Sequence, residues 1–307
     1  MILFVGNSYV GSGDLHDVTA DLLAQVDAAW TGGSALIHEG YTWEDHLGQV
    51  TTPGTTWNDA LVVDPSAWSV VVLQEQSQIP GFPQSDPTWQ GSKEAGSALD
   101  DIVAGLGVQT ILMQTWGRRD GDDENPSLYP DYPTMQDHLT AGYAAYADAF
   151  STPDRAVLVA PIGEAFRVVY DDIVAAGEDP LASGGTFVSL YSGDGSHPSV
   201  VGTALGACVI TATVTGHSTA ALDLTDYVDA DVAAVLTAAA DEAVFGASSP
   251  PPPSGTTGPT STPGESADDE AANDPGEGVV KSCNSAPGGM GLVALAVLGL
   301  RRKRRGW

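Results

Sequence analysis

The chain has 307 residues, enough for one large domain or two small ones, and its 42% apolar content is ordinary for a globular protein with a sizeable core. Its 40 acidic and 11 basic residues give a net charge of −29. The excess lies in residues 1–246, where 34 Asp and Glu face five Lys and Arg, and such a surface repels nucleic acid and anionic membranes.

The chain opens on the apolar run Ile2–Val5, which reads as a buried strand running into a Gly6-Asn7-Ser8 turn. A helical stretch follows near Leu15–Trp30. Further continuous apolar runs lie at Ala35–His38, Val70–Leu73, Thr110–Gln114 and Ala156–Ala160. Continuous rather than alternating apolar residues mark strands buried on both faces. Between and after them, helices are expected near Ser92–Leu106, Thr134–Phe150, Gly163–Ala176, Ser199–Thr215 and Asp226–Phe245. Strand–helix alternation at this spacing predicts an α/β fold: a three-layer α/β/α sandwich around a parallel sheet of about five strands. Thr115–Pro133 (TWGRRDGDDENPSLYPDYP) is a long polar loop of the kind that often binds ligands.

Residues 1–246 therefore form one domain. Residues 247–282 are Pro, Gly, Ser, Thr and acid, cannot bury a core, and read as a disordered linker. Residues 283–307 hold Cys283, an apolar run of about 14 residues and the basic cluster RRKRR. Two cysteines exclude a disulfide framework, and Cys208, in an apolar helical stretch, reads as core. His16, His38, His46, His138 and His217 share no metal-ligand spacing, so no metal is expected.

Two short strings carry the chemistry. The strand-to-turn string places Ser8 at the edge of the sheet where open α/β folds bind ligands. The string Asp194-Gly195-Ser196-His197-Pro198 sets an acid three residues before a histidine, so one turn delivers both. Taken singly, each is also an ordinary turn. Together they supply a nucleophile (Ser8), a base (His197) and an orienting acid (Asp194). Free imidazole titrates near about 6.5, which suits it to shuttle a proton.

These strings resemble the SGNH/GDSL hydrolase superfamily over residues 1–217. Gly6-Asn7-Ser8 matches the nucleophile block, with Asn7 in place of the usual acid. Gly40, in IHEGYTWEDHL, matches the glycine after the second strand, and Asp194 to His197 match the Asp-x-x-His block. The third block usually reads Gly-x-Asn-Asp; here VVVLQEQSQ occupies it and places Gln76 at the asparagine position. The resemblance implies a flavodoxin-like sandwich and a Ser-His-Asp triad. It also implies an oxyanion hole of the Ser8 and Gly40 N–H groups and the Gln76 amide. Gln74 and Glu75 are the other residues of that run that can face the site. VVLQEQS, TWGR and DGSHPS together look like the signature of one subfamily.

Other residues have plainer readings. Glu75, at a strand end, is expected to pair with Arg118 or Arg119 in a structural salt bridge. Those two arginines are also candidates to bind an anionic group. Trp116, with Trp43, Trp57, Trp89 and the tyrosines around Tyr129, can stack on sugar rings or fill the core. Pro198 is expected to start the helix that follows, with Gly202 and Gly206 letting it approach the sheet.

The expected activity is hydrolysis of a small acyl ester, acetyl on a carbohydrate by analogy with the superfamily, with no cofactor. A lipase or thioesterase using the same triad, or a silent carbohydrate-binding module, are the alternatives. The C-terminal pattern resembles the tripartite Myxo/GlyGly-type sorting tags of surface proteins. It implies export, transient membrane anchoring, processing or lipidation at Cys283, and a sorting protease as partner; a plain tail anchor is the other reading. Export expects a leader, and Met1 sits directly on the first strand, so the natural chain is expected to begin further upstream.

Overall fold

The structure, a computed structural model, describes residues 1–65 and 68–246. The expected linker, Cys283, the apolar run and the basic end lie outside the described residues.

Five strands form one parallel sheet: β1 (Ile2–Gly6), β2 (Gly33–Ile37), β3 (Val70–Leu73), β4 (Gln109–Met113) and β5 (Leu158–Ala160). Their order is β2-β1-β3-β4-β5, and every neighbouring pair runs parallel. Ile2 pairs with Gly33 on one side and Val70 on the other. The chain leaves β1 toward one edge and returns to pass β3 down its other flank. That reversal opens a crevice at the carboxyl ends of β1 and β3, where sheets of this topology bind ligands.

Ten α-helices flank the sheet among the described residues: α1 (Ser8–Gly11), α2 (Leu15–Val26), α3 (Trp43–Val50), α4 (Thr56–Asn58), α5 (Pro87–Gly105), α6 (Tyr132–Phe150), α7 (Ile162–Ala175), α8 (Thr186–Ser189), α9 (Val200–Thr215) and α10 (Ala230–Phe245). The two-residue period of the strands divides the core. Ile2, Phe4, Val70, Val72, Ile111 and Met113 pack with α2, α7, α9 and α10. Leu3, Val5, Val71, Leu73 and Leu112 pack with α3, α5 and α6. The sandwich expected from strand–helix alternation is thus present. Helix α9 is buried along nearly its whole length, Cys208 included, and burial pushes that thiol up to about 12. Among the described residues no helix is long and apolar enough to cross a membrane.

Capping residues explain where the helices depart from the expected bounds. Asp86 and Asp131 accept hydrogen bonds from the Thr88 and Thr134 N–H groups, so α5 and α6 begin earlier, at Pro87 and Tyr132. Ser199, not Pro198, caps α9; its hydroxyl accepts from the Val201 and Gly202 N–H groups. Gly202 also serves a different contact from the one expected. A Cβ there would lie 2.2 Å from the Leu190 carbonyl, so its bareness lets α9 pass the segment before the histidine turn rather than the sheet.

Candidate active site

Ser8 leaves β1 as the first residue of the one-turn helix α1, with Asn7 as its N-cap. Three hydrogen bonds hold Asn7 and so fix the turn. Its N–H donates to Gln74 Oε1 at 2.8 Å, its Oδ1 accepts the Tyr9 N–H at 3.1 Å, and its Nδ2 donates to the Tyr41 carbonyl at 2.9 Å. Asn7 thus ties the strand end of β3 and the Gly40–Tyr41 turn to Ser8. An aspartate there would lose the donor to Tyr41.

Across the crevice, Ser8 Oγ lies 2.8 Å from His197 Nε2, and His197 Nδ1 lies 2.6 Å from Asp194 Oδ2. The second oxygen, Asp194 Oδ1, accepts the N–H groups of Ser196 and His197 at 3.0 Å each, locking the turn. Burial alone would raise the Asp194 carboxyl, but the hydrogen bonds from the His197 ring and the two N–H groups outweigh it and hold the carboxyl below its ordinary value. The structure therefore brings Ser8, His197 and Asp194 into one hydrogen-bonded line.

A cavity of about 120 Å³ opens beside Ser8 Oγ, lined by Asn7, Ser8, Tyr9, Gly40, Gln76, Ser77, Arg118, Ser196 and His197. Gly40 turns with φ +70°, a conformation that glycine adopts without strain. Among the described residues neither the Ser8 nor the Gly40 N–H meets a protein acceptor. The Gln76 amide oxygen accepts the Gln78 N–H at 2.8 Å, which leaves its nitrogen as the free donating end. That nitrogen gives one hydrogen to Gln78 Oε1 at 3.3 Å and keeps the other.

Of the three residues expected to contact substrate, only Arg118 reaches the cavity. Its Nη1 pairs at 2.5 Å with Asp122, whose buried carboxylate also holds Gln78 Nε2 and Asn125 Nδ2. Arg119 pairs with Asp120 and donates its backbone N–H to the Gly195 carbonyl. Trp116 is buried and does not line the cavity. It lies between Tyr9 and Phe166, with ring centroids at 4.9 and 4.8 Å, and its Nε1–H donates to the Ser196 carbonyl at 3.0 Å. Trp43, Trp89 and Tyr129 are likewise core, and Trp57 donates its Nε1–H to His46. Burial drops the His46 pKa to about 4, so this histidine is neutral; His38 is exposed and stacks on Tyr41 at 3.9 Å.

The expected pairing of Glu75 with an arginine does not occur. The carboxylate is buried against backbone N–H groups and Ser92, and burial lifts it to about 7. Tyr9, Ser77 and Ser196 also line the cavity, beyond the residues expected there. The Tyr9 hydroxyl lies 2.6 Å from Ser196 Oγ and its ring 5.2 Å from His197, bracing the histidine turn from below. For Glu75 and Ser77 the available signal was QEQSQ, five polar residues directly after a buried apolar strand, since such side chains must find partners. Among the described residues no cluster of three or more His, Cys, Asp or Glu is disposed to hold a metal.

No family model matches the chain, and no curated protein does. Solved structures do. A protein of Slackia heliotrinireducens described as a candidate SGNH hydrolase is 25% identical, with a TM-score of 0.51, and the match covers 69% of this chain and 97% of that one. A DUF4886 family protein of Bacteroides uniformis is 16% identical, with a TM-score of 0.56, and the match covers 80% of this chain and 94% of that one. The fold is SGNH-like: a five-stranded parallel sheet flanked by helices.

Proposed function

We propose that this chain is a serine esterase that removes a small acyl group, acetyl above all, from a polar alcohol such as a carbohydrate. The observation that carries the reading is the line from Ser8 Oγ through His197 to Asp194, at 2.8 and 2.6 Å, opening into a small polar cavity. The likeness in fold to the candidate SGNH hydrolase agrees with it.

In this reading Ser8 Oγ attacks the ester carbonyl while its proton passes to His197 Nε2. Asp194 keeps Nδ1 protonated, so Nε2 is the free base, and stabilises the imidazolium that forms. The Ser8 and Gly40 N–H groups and the Gln76 Nε2–H face the oxygen that gains charge. One such donor lowers the barrier by about 2.7–4 kcal/mol. The imidazolium then protonates the departing alcohol, leaving acyl-Ser8. Water, deprotonated by His197, attacks that ester and releases the acid.

The cavity favours a short acyl group. It is small, and among the described residues no aliphatic side chain lines it. A long acyl chain needs an apolar trench, so a lipase fits this lining poorly. Hydrolysis of p-nitrophenyl acetate by the full chain, beside Ser8→Ala, tests the proposal. Turnover lost in the variant supports it. A folded wild-type chain no faster than Ser8→Ala on acetyl esters, both aryl and sugar, sinks it and favours a silent binding module.

A further inference from the structure

Glu75 is fully buried, yet among the described residues no cation pairs with it. Its partners are donors from three separate places. Oε1 accepts the Gln76 N–H at 2.6 Å and the Trp43 N–H at 3.0 Å. Oε2 accepts the Trp43 N–H at 3.2 Å and the Ser92 hydroxyl at 2.6 Å. Ser92 is held in turn by the Tyr146 hydroxyl at 2.9 Å. Trp43 is the first residue of α3, and only Tyr41 and the N-cap Thr42 separate it from Gly40. Gln76 carries the amide that faces the cavity. One carboxylate therefore spans the two segments that supply Gly40 and Gln76.

We propose that Glu75 is a positioning residue for the oxyanion hole, its two oxygens fixing the Gly40 turn and Gln76 at the separation from which both donate to one oxyanion. This rests on the esterase reading above. The requirement is chemical. A carboxylate only accepts, whereas a carboxylic acid or an amide presents a donor at one of its two ends. A donor at Oε1 opposes the Trp43 and Gln76 N–H groups; one at Oε2 turns the Ser92 hydroxyl round to accept and gives up the Trp43 N–H bond there, so the hold on the α3 segment loosens. Oxyanion stabilisation is sensitive to such movement, because the donors must lie within hydrogen-bond reach of the charged oxygen.

The charge state gives the proposal its signature. The titratable groups facing Glu75 are Glu44 from α3 and Tyr143 and Tyr146 from α6, with Ser92 from α5 as hydrogen-bond donor. Burial is the main cause that lifts Glu75 to about 7, and the hydrogen bonds from Ser92, Gln76 and Trp43 oppose it. A raised carboxyl favours the folded state in its protonated form. Its contribution to stability is full below about 4.3, the value of a free glutamate, and is lost as pH rises through about 7. Turnover runs the opposite way, since the carboxylate is the form that holds the hole.

The test compares the full-length wild type with Glu75→Gln and Ser92→Ala. Each is assayed on p-nitrophenyl acetate and p-nitrophenyl thionoacetate from pH 5 to pH 9, with thermal unfolding alongside. Glu75→Gln is expected to stay folded and lose kcat about tenfold or more at pH 8, with KM little changed. Its acid limb becomes shallower, because the proton on Glu75 no longer contributes to it. Its preference for the oxygen ester over the thiono ester, which reports the oxyanion hole, falls severalfold. Ser92→Ala removes one donor and leaves the carboxylate, so its acid limb moves to higher pH. A Glu75→Gln that keeps the limb and the oxygen preference overturns the proposal, even if it is less stable. Should that variant not fold, an unshifted limb in Ser92→Ala overturns it. A wild type that turns over neither ester takes down the esterase reading and this one together; an active wild type matched by Glu75→Gln takes down only the role of Glu75.

Discussion

Asp194→Asn separates catalysis from folding, because the two oxygens of this carboxylate do different things. Oδ1 holds the turn through the Ser196 and His197 N–H groups, and Oδ2 holds the His197 ring. An asparagine keeps a carbonyl oxygen for the turn and presents its NH₂ to Nδ1. The ring then takes the other tautomer: Nδ1 accepts, Nε2 carries the proton, and Nε2 can no longer accept one from Ser8. Where the orienting acid is buried, this exchange costs about 10⁴ in kcat, or about 5.4 kcal/mol. The Asp194 side chain is 49% exposed, so water competes for the ring and offers the correct tautomer some support. The expected loss is therefore smaller, about 10²- to 10³-fold in kcat, with the melting temperature within about 2 °C of wild type. Asp194→Ala loses the turn as well, about 1 kcal/mol for each of two hydrogen bonds, and melts lower. Steady-state hydrolysis of p-nitrophenyl acetate and a thermal melt on both variants are sufficient. Asp194→Asn within about threefold of wild-type kcat would refute the tautomer argument, and with it the role of Asp194.

Two further outcomes follow from the structure. Trp116→Phe keeps the stacking on Tyr9 and Phe166 but removes the only donor that Trp116 offers to the Ser196 carbonyl. It is expected to cost about 1–3 kcal/mol in stability and to lower kcat with KM unchanged; a large rise in KM at full kcat would place Trp116 against substrate. Residues 1–246 carry the whole net charge of −29, so raising NaCl from about 0.1 to about 1 M shortens the Debye length from about 10 to about 3 Å and relieves self-repulsion. The melting temperature should rise by a few degrees, read by circular dichroism; no rise would mean that the surface carboxylates are already spaced widely enough for water alone to separate them.

What the sequence made legible, and what it hid, divides along a physical line. Continuous apolar runs marked all five strands, and Val70–Leu73 is bounded as expected, because a strand buried on both faces has no room for polar residues. The edges of the sheet read less well. β5 shrinks to Leu158–Ala160, with Leu158 partly exposed, since an edge strand is released from that constraint. Helix α3 was missed because WEDHLGQV mixes charged and apolar residues over only two turns. Its signal was at its start, where Thr42 and Asp45 form a capping box.

The same line runs through the site. Ser8, Asp194 and His197 were legible because motif spacing places them, and each is judged by its own chemistry. Glu75 was assigned the wrong partner because a buried carboxylate suggests a cation, and a sequence displays its cations but not its unpaired N–H groups. In an open parallel sheet the helix after one strand begins beside the end of another, so its first N–H groups point at the crevice without partners. Trp43 N–H is such a group, and Glu75 answers it from the end of β3, on the far side of β1. Arg118 and Arg119, drawn off by Asp122 and Asp120, were never needed for that charge. The fold makes the donors that hold Glu75, and among the described residues it leaves the Ser8 and Gly40 N–H groups on the same crevice without a protein acceptor, where the proposed oxyanion would sit.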